Sequence, residues 1–156
     1  MAITKHKKAL LAIIIAVLLV AGLVWLIYRN NAPYPNDPFA GVSADDFVEI
    51  SLLEGHSVLA VLTEEECAEL IPLLLQVKLY GQPEKIKPED WAGGISRMFR
   101  ITLTGKEPFV FSEFGGSYLL DGNLSFSKHH NYELGQSLEA LYAAWYFHRT
   151  GHSHVG

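Results

Sequence analysis

The chain has 156 residues, of which 49% are hydrophobic and 12% aromatic, and this composition excludes a disordered protein. Its formal net charge is −5, and its single cysteine, Cys67, excludes an intramolecular disulfide. The fold must therefore be held together by its apolar core.

Residues 9–28, ALLAIIIAVLLVAGLVWLIY, contain no charged residue and no proline. At about 1.5 Å per residue, such a helix spans roughly the 30 Å hydrocarbon core of a bilayer, so the sequence predicts a transmembrane helix. Three lysines stand in the preceding residues 1–8, whereas only Arg29 follows the apolar run closely. The positive-inside rule then places residues 1–8 in the cytoplasm and the rest of the chain outside the cell.

A cleaved signal peptide is the alternative interpretation of this segment. The apolar region of a signal peptide has about 7 to 15 residues and ends at a small-x-small site. Cleavage after Gly22 would leave LVWLIY on the mature protein, and Ala32 is followed by Pro33, which obstructs cleavage. The pattern favours an uncleaved signal anchor.

The rest of the chain divides into a spacer, a domain and a tail. Prolines spaced through polar residues in 29–42 predict a semi-rigid spacer. The extracytoplasmic domain is predicted at 43–148 and a disordered, His-containing tail at 149–156. After residue 32 the chain has 8 basic and 17 acidic residues. This excess of negative charge repels nucleic acid, which is excluded as a partner.

The first half of the domain predicts a β-hairpin followed by a helix. FVEISLL alternates apolar and polar residues from Phe47, and in SVLAVLT the residues Val58, Ala60 and Leu62 can line one face. Thr63 and Glu66 form a capping-box pattern. The helix that they begin should run to about Lys78 and be kinked at Pro72.

The second half predicts a four-strand meander and a final helix. After the loop YGQPEKIKPEDWAGG come ISRMFRITLTG, PFVFSEF and SYLLDGNLSFSK, and the last of these carries the Asp121-Gly122 hairpin signal. The apolar stripe Leu134, Leu138, Leu141, Ala144 and Trp145 predicts a helix that ends near His148. The order ββαββββα defines an α+β domain in which two helices cover an antiparallel sheet.

Trp91, Arg97 and Arg100 are the candidate partner-binding residues. Trp91 lies in a Gly- and Pro-bounded loop, and Arg97 falls on the otherwise apolar face of its strand. Aromatic residues and arginines dominate interface hot spots. The alternative is that Trp91 folds back onto the core and that both arginines pair with nearby acids.

Five of the seven histidines lie in the last 28 residues, and His148, His152 and His154 could supply three metal ligands. They follow the last apolar residue of the final helix, where a frayed terminus is the usual structure. His129 and His130 lie at the other end of that helix, roughly 25 Å away, so the two groups cannot share one metal.

The remaining reactive side chains predict no catalytic site. Cys67 lies on the apolar stripe of its helix, and Glu66 and Glu69 beside it would raise the pKa of its thiol. The acidic run from Glu64 fits the N-terminus of a helix better than a calcium site. The sequence has no phosphate loop and no nucleophile elbow, and we predict no catalytic residue and no cofactor.

The succession FVEISLL, VLTEEECAELIPLLLQVKLY, ISRMFRITLTG and SYLLDGNLSFS, ending in LGQSLEALYAAW, resembles small single-pass membrane proteins of unknown function from Gram-positive, clostridial-type gut bacteria. The resemblance covers most of the predicted domain and includes no diagnostic motif. It implies a bacterial cell-surface location and assigns no functional residue.

The leading hypothesis is a membrane-anchored extracytoplasmic module that binds another cell-envelope protein or component. The alternative is a metal-binding protein or metal-dependent enzyme that uses the C-terminal histidines. A signalling subunit is a third class, but the eight cytoplasmic residues leave little with which to signal.

Overall fold

The computed structural model describes residues 2–55, 57–87, 97–114, 117–127 and 132–151, and the side chains of all these except 2–6, 97, 114 and 127. The described part of the chain is an α+β structure with an N-terminal apolar helix, a seven-stranded antiparallel sheet and a C-terminal helix. The predicted α+β class, with an N-terminal apolar helix and an antiparallel sheet, is therefore confirmed.

Helix α1 is Ala2–Asn31. Its large apolar side chains from Leu10 to Tyr28 are 47% to 74% exposed, so none of them is buried against the domain. The helix is long and apolar enough to cross a membrane from Lys7 to Asn31, a test that a signal sequence also passes.

The sheet has the strand order β2-β1-β4-β5-β6-β7-β3, and every neighbouring pair is antiparallel. The strands are β1 (Phe47–Glu54), β2 (Ser57–Val61), β3 (Glu84–Lys85), β4 (Arg97–Leu103), β5 (Phe109–Phe114), β6 (Ser117–Leu120) and β7 (Leu124–Ser127). The strand β3 lies in the segment predicted as a loop, and it adds one strand to the predicted order. Its partner is β7, which places it at one edge of the sheet.

One face of the sheet carries the main core. Across four strands the register aligns Leu52 with Phe99, Phe111 and Leu120, all of which are buried. The next row begins with Ile50 and Ile101. These residues belong to a single buried cluster that also contains side chains of both domain helices. The apolar residues whose alternation predicted these strands therefore form the face of the sheet that packs in the core.

Helix α2 is Glu64–Leu74. The predicted capping box is confirmed, because Thr63 Oγ1 accepts from Glu66 N at 3.3 Å and Glu66 Oε2 accepts from Thr63 N at 2.9 Å. The helix ends at Leu74 instead of the predicted Lys78. Pro72 has no N–H to continue the hydrogen-bond ladder, and the chain leaves the helix two residues later.

Helix α3 is Tyr132–Thr150 and is followed by Gly151 with φ 70°. Its buried side is rotated from the predicted stripe, since Ala144 is exposed whereas Tyr142 and Tyr146 are buried. Both tyrosine hydroxyls reach acceptors on β1: Leu53 O at 2.8 Å from Tyr142 and Glu54 Oε1 at 2.6 Å from Tyr146. A polar tip with a partner allows a tyrosine to be buried.

The segment 29–42, predicted as a spacer, packs on the domain. Phe39 is only 5% exposed and makes edge-to-face contacts with Phe109 and Phe111. Tyr34 contacts the ring of Phe126 at a centroid distance of 4.8 Å. The folded domain therefore includes residues that the sequence placed outside it. A predicted spacer lacks periodicity, so the aromatic residues within it gave no signal of burial.

Candidate functional site

Of the three predicted partner-binding residues, the structure describes Arg100 and the backbone of Arg97. Arg97 and Arg100 stand three positions apart on β4, and their register partners lie on opposite faces of the sheet. Arg100 is exposed on the face opposite the main core. Trp91 lies outside the described residues, as does the side chain of Arg97.

The backbone position of Arg97 begins a row of polar positions across three strands. In backbone register it stands opposite Glu113, which stands opposite Tyr118. Glu113 is 3% exposed and Tyr118 1% exposed. Burial and then the charge of Glu113 raise the pKa of Tyr118 to about 12. Because the side chains of Glu113 and Tyr118 are closed off from solvent, these two residues offer no open site for a ligand.

Of the histidines considered as metal ligands, the structure describes His148 alone. His148 is exposed in the last turn of α3, while His129, His130, His152 and His154 lie outside the described residues. Among the residues that the structure describes, no group of three His, Cys, Asp or Glu side chains is placed to hold a metal ion. The boundary of the predicted tail also moves, because Arg149 and Thr150 are helical.

Cys67 lies in α2, partly buried against the core. Burial raises the pKa of its thiol, and the charges of Glu66 and Glu64 raise it further. A thiol that is harder to ionise is a weaker nucleophile at neutral pH. The structure thus gives Cys67 the environment of a small packing residue.

The junction between α1 and the domain is tied by backbone hydrogen bonds. Gly81 N donates to Ala32 O and Tyr34 N donates to Leu79 O, both at 2.8 Å. Asp37 fixes the next turn, because its carboxylate accepts from Leu79 N at 3.1 Å and from Phe39 N at 3.0 Å. These bonds hold the end of α1 directly against the segment that follows α2.

A close approach of backbones completes this junction. Gly81 has φ +75°, and a Cβ at this position would stand 2.8 Å from Asn30 O. Only glycine accepts both this conformation and this contact. Arg29 adds a side-chain hydrogen bond to Gln82 and lies over the ring of Trp25 at 5.4 Å.

The edge formed by β2 carries two exposed apolar side chains. Val58 and Val61 are 46% and 54% exposed, and their register partners are Leu53 and Ser51 on the face opposite the main core. Sequence alternation assigned Val58 to the same face as Leu62, but Leu62 is buried. The difference arises from a register shift between Leu52 and Leu53, since a bulge moves later residues to the other face.

The negative charge of the domain is concentrated in one stretch of the chain. Between Arg29 and Lys78 the chain has nine Asp and Glu residues and no Lys or Arg. This stretch contains β1, β2 and α2. From Lys78 to Gly156 the acidic and basic residues are equal in number, with eight of each. The domain is therefore electrostatically polarised along the sheet.

Comparison of the chain with protein-family models, with curated proteins and with solved structures found no match. The function is therefore inferred from the geometry of the described residues.

Two features of the surface escaped sequence reasoning. The exposure of Val58 and Val61 depends on a bulge and on the position of β2 at a sheet edge, neither of which local alternation reveals. The sequence shows the uneven charge, because a stretch of 48 residues without a lysine or arginine follows Arg29. Only the strand order shows that the strands within this stretch, β1 and β2, form one end of the sheet.

Proposed function

We propose that this protein is a single-pass, membrane-anchored binding module whose domain lies outside the cytoplasm. The observation that carries the proposal is the junction: an apolar helix with no buried apolar side chain leads through hydrogen-bonded residues into a folded domain. Such a helix needs an apolar solvent. Cleavage at Gly22 would leave the apolar segment 23–28 attached to the docked residues, which favours an uncleaved anchor.

The proposed orientation follows from the flanking charges. Lys5, Lys7 and Lys8 precede the apolar segment, and Arg29 follows it. The excess of positive charge keeps the amino terminus in the cytoplasm. The domain, with its net negative charge, is the part that is translocated to the outside of the membrane.

The proposed architecture has α2 and α3 covering the same face of the sheet. Leu70 of α2 and Tyr142 of α3 belong to the buried cluster that contains Leu52 and Phe99, and this supports the arrangement. The helices are also joined at their ends, where Arg149 bonds Glu66. With one face covered in this way, the surfaces left for a partner are the β2 edge, the exposed sides of the helices and the part of the opposite face near Arg100.

The described polar groups favour binding over catalysis. The best-placed carboxylates have structural partners: Glu66 caps α2 and bonds Arg149, Asp37 orders the junction, and Glu113 is closed inside the sheet. None of these groups opens into a cleft with a base and a nucleophile side by side, which acyl or phosphoryl transfer would require.

The orientation is tested by cysteine labelling in intact cells that express the full chain. In a Cys67→Ala background, Glu107→Cys places a thiol on the exposed β4–β5 turn, and Thr4→Cys is the matched cytoplasmic control. We expect a membrane-impermeant maleimide to label the first thiol and to label the second only after lysis. Labelling of Thr4→Cys in intact cells would contradict the proposed topology.

The binding function is tested in the same cells by photo-crosslinking. A photoreactive amino acid replaces Val61 on β2, Glu84 on β3 or Phe147 on α3, all of which are exposed. We expect at least one position to give a discrete crosslinked product above the monomer. If no position gives a product while the chain stays folded in the membrane, a binding function is contradicted.

A further inference from the structure

The two edges of the sheet differ in their protection. The β3 edge has two residues, both charged, and Pro83 and Pro88 flank it in the sequence. Short length, charge and proline are the means by which proteins prevent an edge strand from pairing with another chain. The β2 edge has five residues, SVLAV, with no charge and no proline, and the one protective feature in it is the bulge at the register shift between Leu52 and Leu53.

Two of the three exposed side chains of β2 are apolar, and the third is Ser57. Val58 and Val61 stand near the two ends of the strand and share the face opposite the main core, as their partners Leu53 and Ser51 show. Between them Leu59 packs against the core. An extended segment laid along β2 would therefore find free backbone groups and two valine side chains for its own alternate residues. No further strand pairs with β2 within the described residues.

Carboxylates border this edge. Glu49 and Glu54 are exposed on β1, and Glu64 and Glu65 are exposed in the turn of α2 that follows β2. Of the described cations, Arg100 lies on β4 beyond β1, and Arg149 is already paired with Glu66. These charges disfavour a second copy of the chain, because two acidic edges would face each other. They favour a segment that carries lysine or arginine.

We propose that the β2 edge binds an extended, basic segment of another polypeptide, which adds to the sheet as an eighth strand. Apolar residues of that segment contact Val58 and Val61, and its basic residues face the carboxylates that border the edge, Glu49, Glu54, Glu64 and Glu65. This inference rests on the proposed binding function and specifies the surface and the chemistry of the partner.

The test uses the full chain in lipid nanodiscs made of zwitterionic lipid and a labelled, end-blocked peptide of alternating lysine and valine. We expect saturable binding by fluorescence anisotropy that weakens as salt is raised, and slower amide exchange in Ser57–Val61 when the peptide is bound. A peptide of alternating glutamate and valine is the charge control. It is expected to bind at least about tenfold more weakly, because the acidic edge attracts lysine and repels glutamate.

Matched variants locate the site. Val58→Lys and Val61→Lys each add one positive charge on an exposed β2 side chain and are expected to weaken lysine–valine binding by about tenfold or more. Glu84→Gln raises the net charge by the same amount at the β3 edge and is expected to leave binding within about twofold. Circular dichroism melting of each variant checks that it is folded.

In the peptide experiments, the proposal is overturned if the lysine–valine peptide shows no saturable binding or if both peptides bind equally. It is also overturned if Glu84→Gln and Val61→Lys lose binding equally, or if the chain dimerises through β2 without peptide. If crosslinks in the membrane come only from Glu84 or Phe147, the binding function stands and the β2 site fails. If no position crosslinks at all, the binding function itself fails.

Discussion

Arg149 on α3 donates from Nη2 to both carboxylate oxygens of Glu66 on α2, at 2.8 and 2.7 Å. The same carboxylate caps α2 by accepting from Thr63 N. One side chain therefore closes the start of α2 and fastens the end of α3 to it. Both side chains are mostly buried, with exposed fractions of 18% and 17%, so the pair is better shielded from water than a surface ion pair.

Replacing Arg149 by methionine is expected to lower the free energy of unfolding by about 1–3 kcal/mol, the range for hydrogen bonds to a charged group. The measurement is chemical denaturation of the full chain in detergent micelles. Glu65→Gln, an exposed change in the same helical turn, is the control and is expected to cost only about 0.3–1 kcal/mol. Equal losses of unfolding free energy in the two variants would show that the Arg149–Glu66 pair adds no stability beyond that of an exposed charge at the helix terminus.

The Glu66 carboxyl links stability to pH. Partial burial opposes its ionisation, but the hydrogen bonds from Arg149 and Thr63 outweigh burial and lower its pKa. A lowered pKa in the folded state means that the group stabilises the fold above its ordinary pKa of about 4.3 and that this contribution disappears as pH falls through the folded value. We expect Glu66→Gln to be less stable than wild type at pH 7 and the difference to shrink below about pH 4. Melting temperatures from pH 7 to pH 2.5 measure it, and a constant difference would contradict the assignment.

Gly81→Ala is expected to weaken the junction. The substitution meets a positive φ and places a Cβ 2.8 Å from Asn30 O. Gly105→Ala is a matched control, because Gly105 has φ +70° and open space around it. The control is expected to cost about 1 kcal/mol from backbone strain, and Gly81→Ala about 1–3 kcal/mol more from the clash. Denaturation midpoints of the two variants measure the difference, and equal values would show that α1 does not dock at Gly81.

The boundary of the domain gives a further prediction. A fragment that starts at residue 43 omits Phe39, which is 5% exposed among Phe109 and Phe111. Loss of a buried phenylalanine costs about 3–5 kcal/mol. We expect a fragment 32–156 to show a cooperative thermal transition and a fragment 43–156 to melt at lower temperature or without cooperativity. Identical transitions would restore the spacer interpretation of 29–42.

Local signals predicted the elements best where one short-range interaction determines the structure. The capping box at Thr63 and Glu66 needs only residues three apart, and it is confirmed. The Asp121-Gly122 turn is also confirmed, since both residues have positive φ and Asn123 N donates to Leu120 O at 3.1 Å. The α+β class followed from the sum of such signals.

Long-range pairing was not predictable by the same means. The strand β3 has two residues and depends on β7, about forty positions later, for its hydrogen bonds. Phe39 directly follows Pro38, and its burial comes from β5, which no local periodicity shows. The candidate site has the same limit: Arg97 and Arg100 are near in sequence, but strand alternation separates them onto opposite faces.

Amide hydrogen exchange of the full chain in lipid nanodiscs tests most directly whether the domain is held against the end of α1. The decisive amides are Tyr34, Leu79 and Gly81, which donate the bonds that join residues 32–37 to 79–81. We predict that all three exchange at least about a hundredfold more slowly than an open chain, as expected for a junction that opens only with a free energy of about 3 kcal/mol or more. Exchange at the rate of an unstructured peptide would show that 29–42 is a flexible tether and would contradict the account.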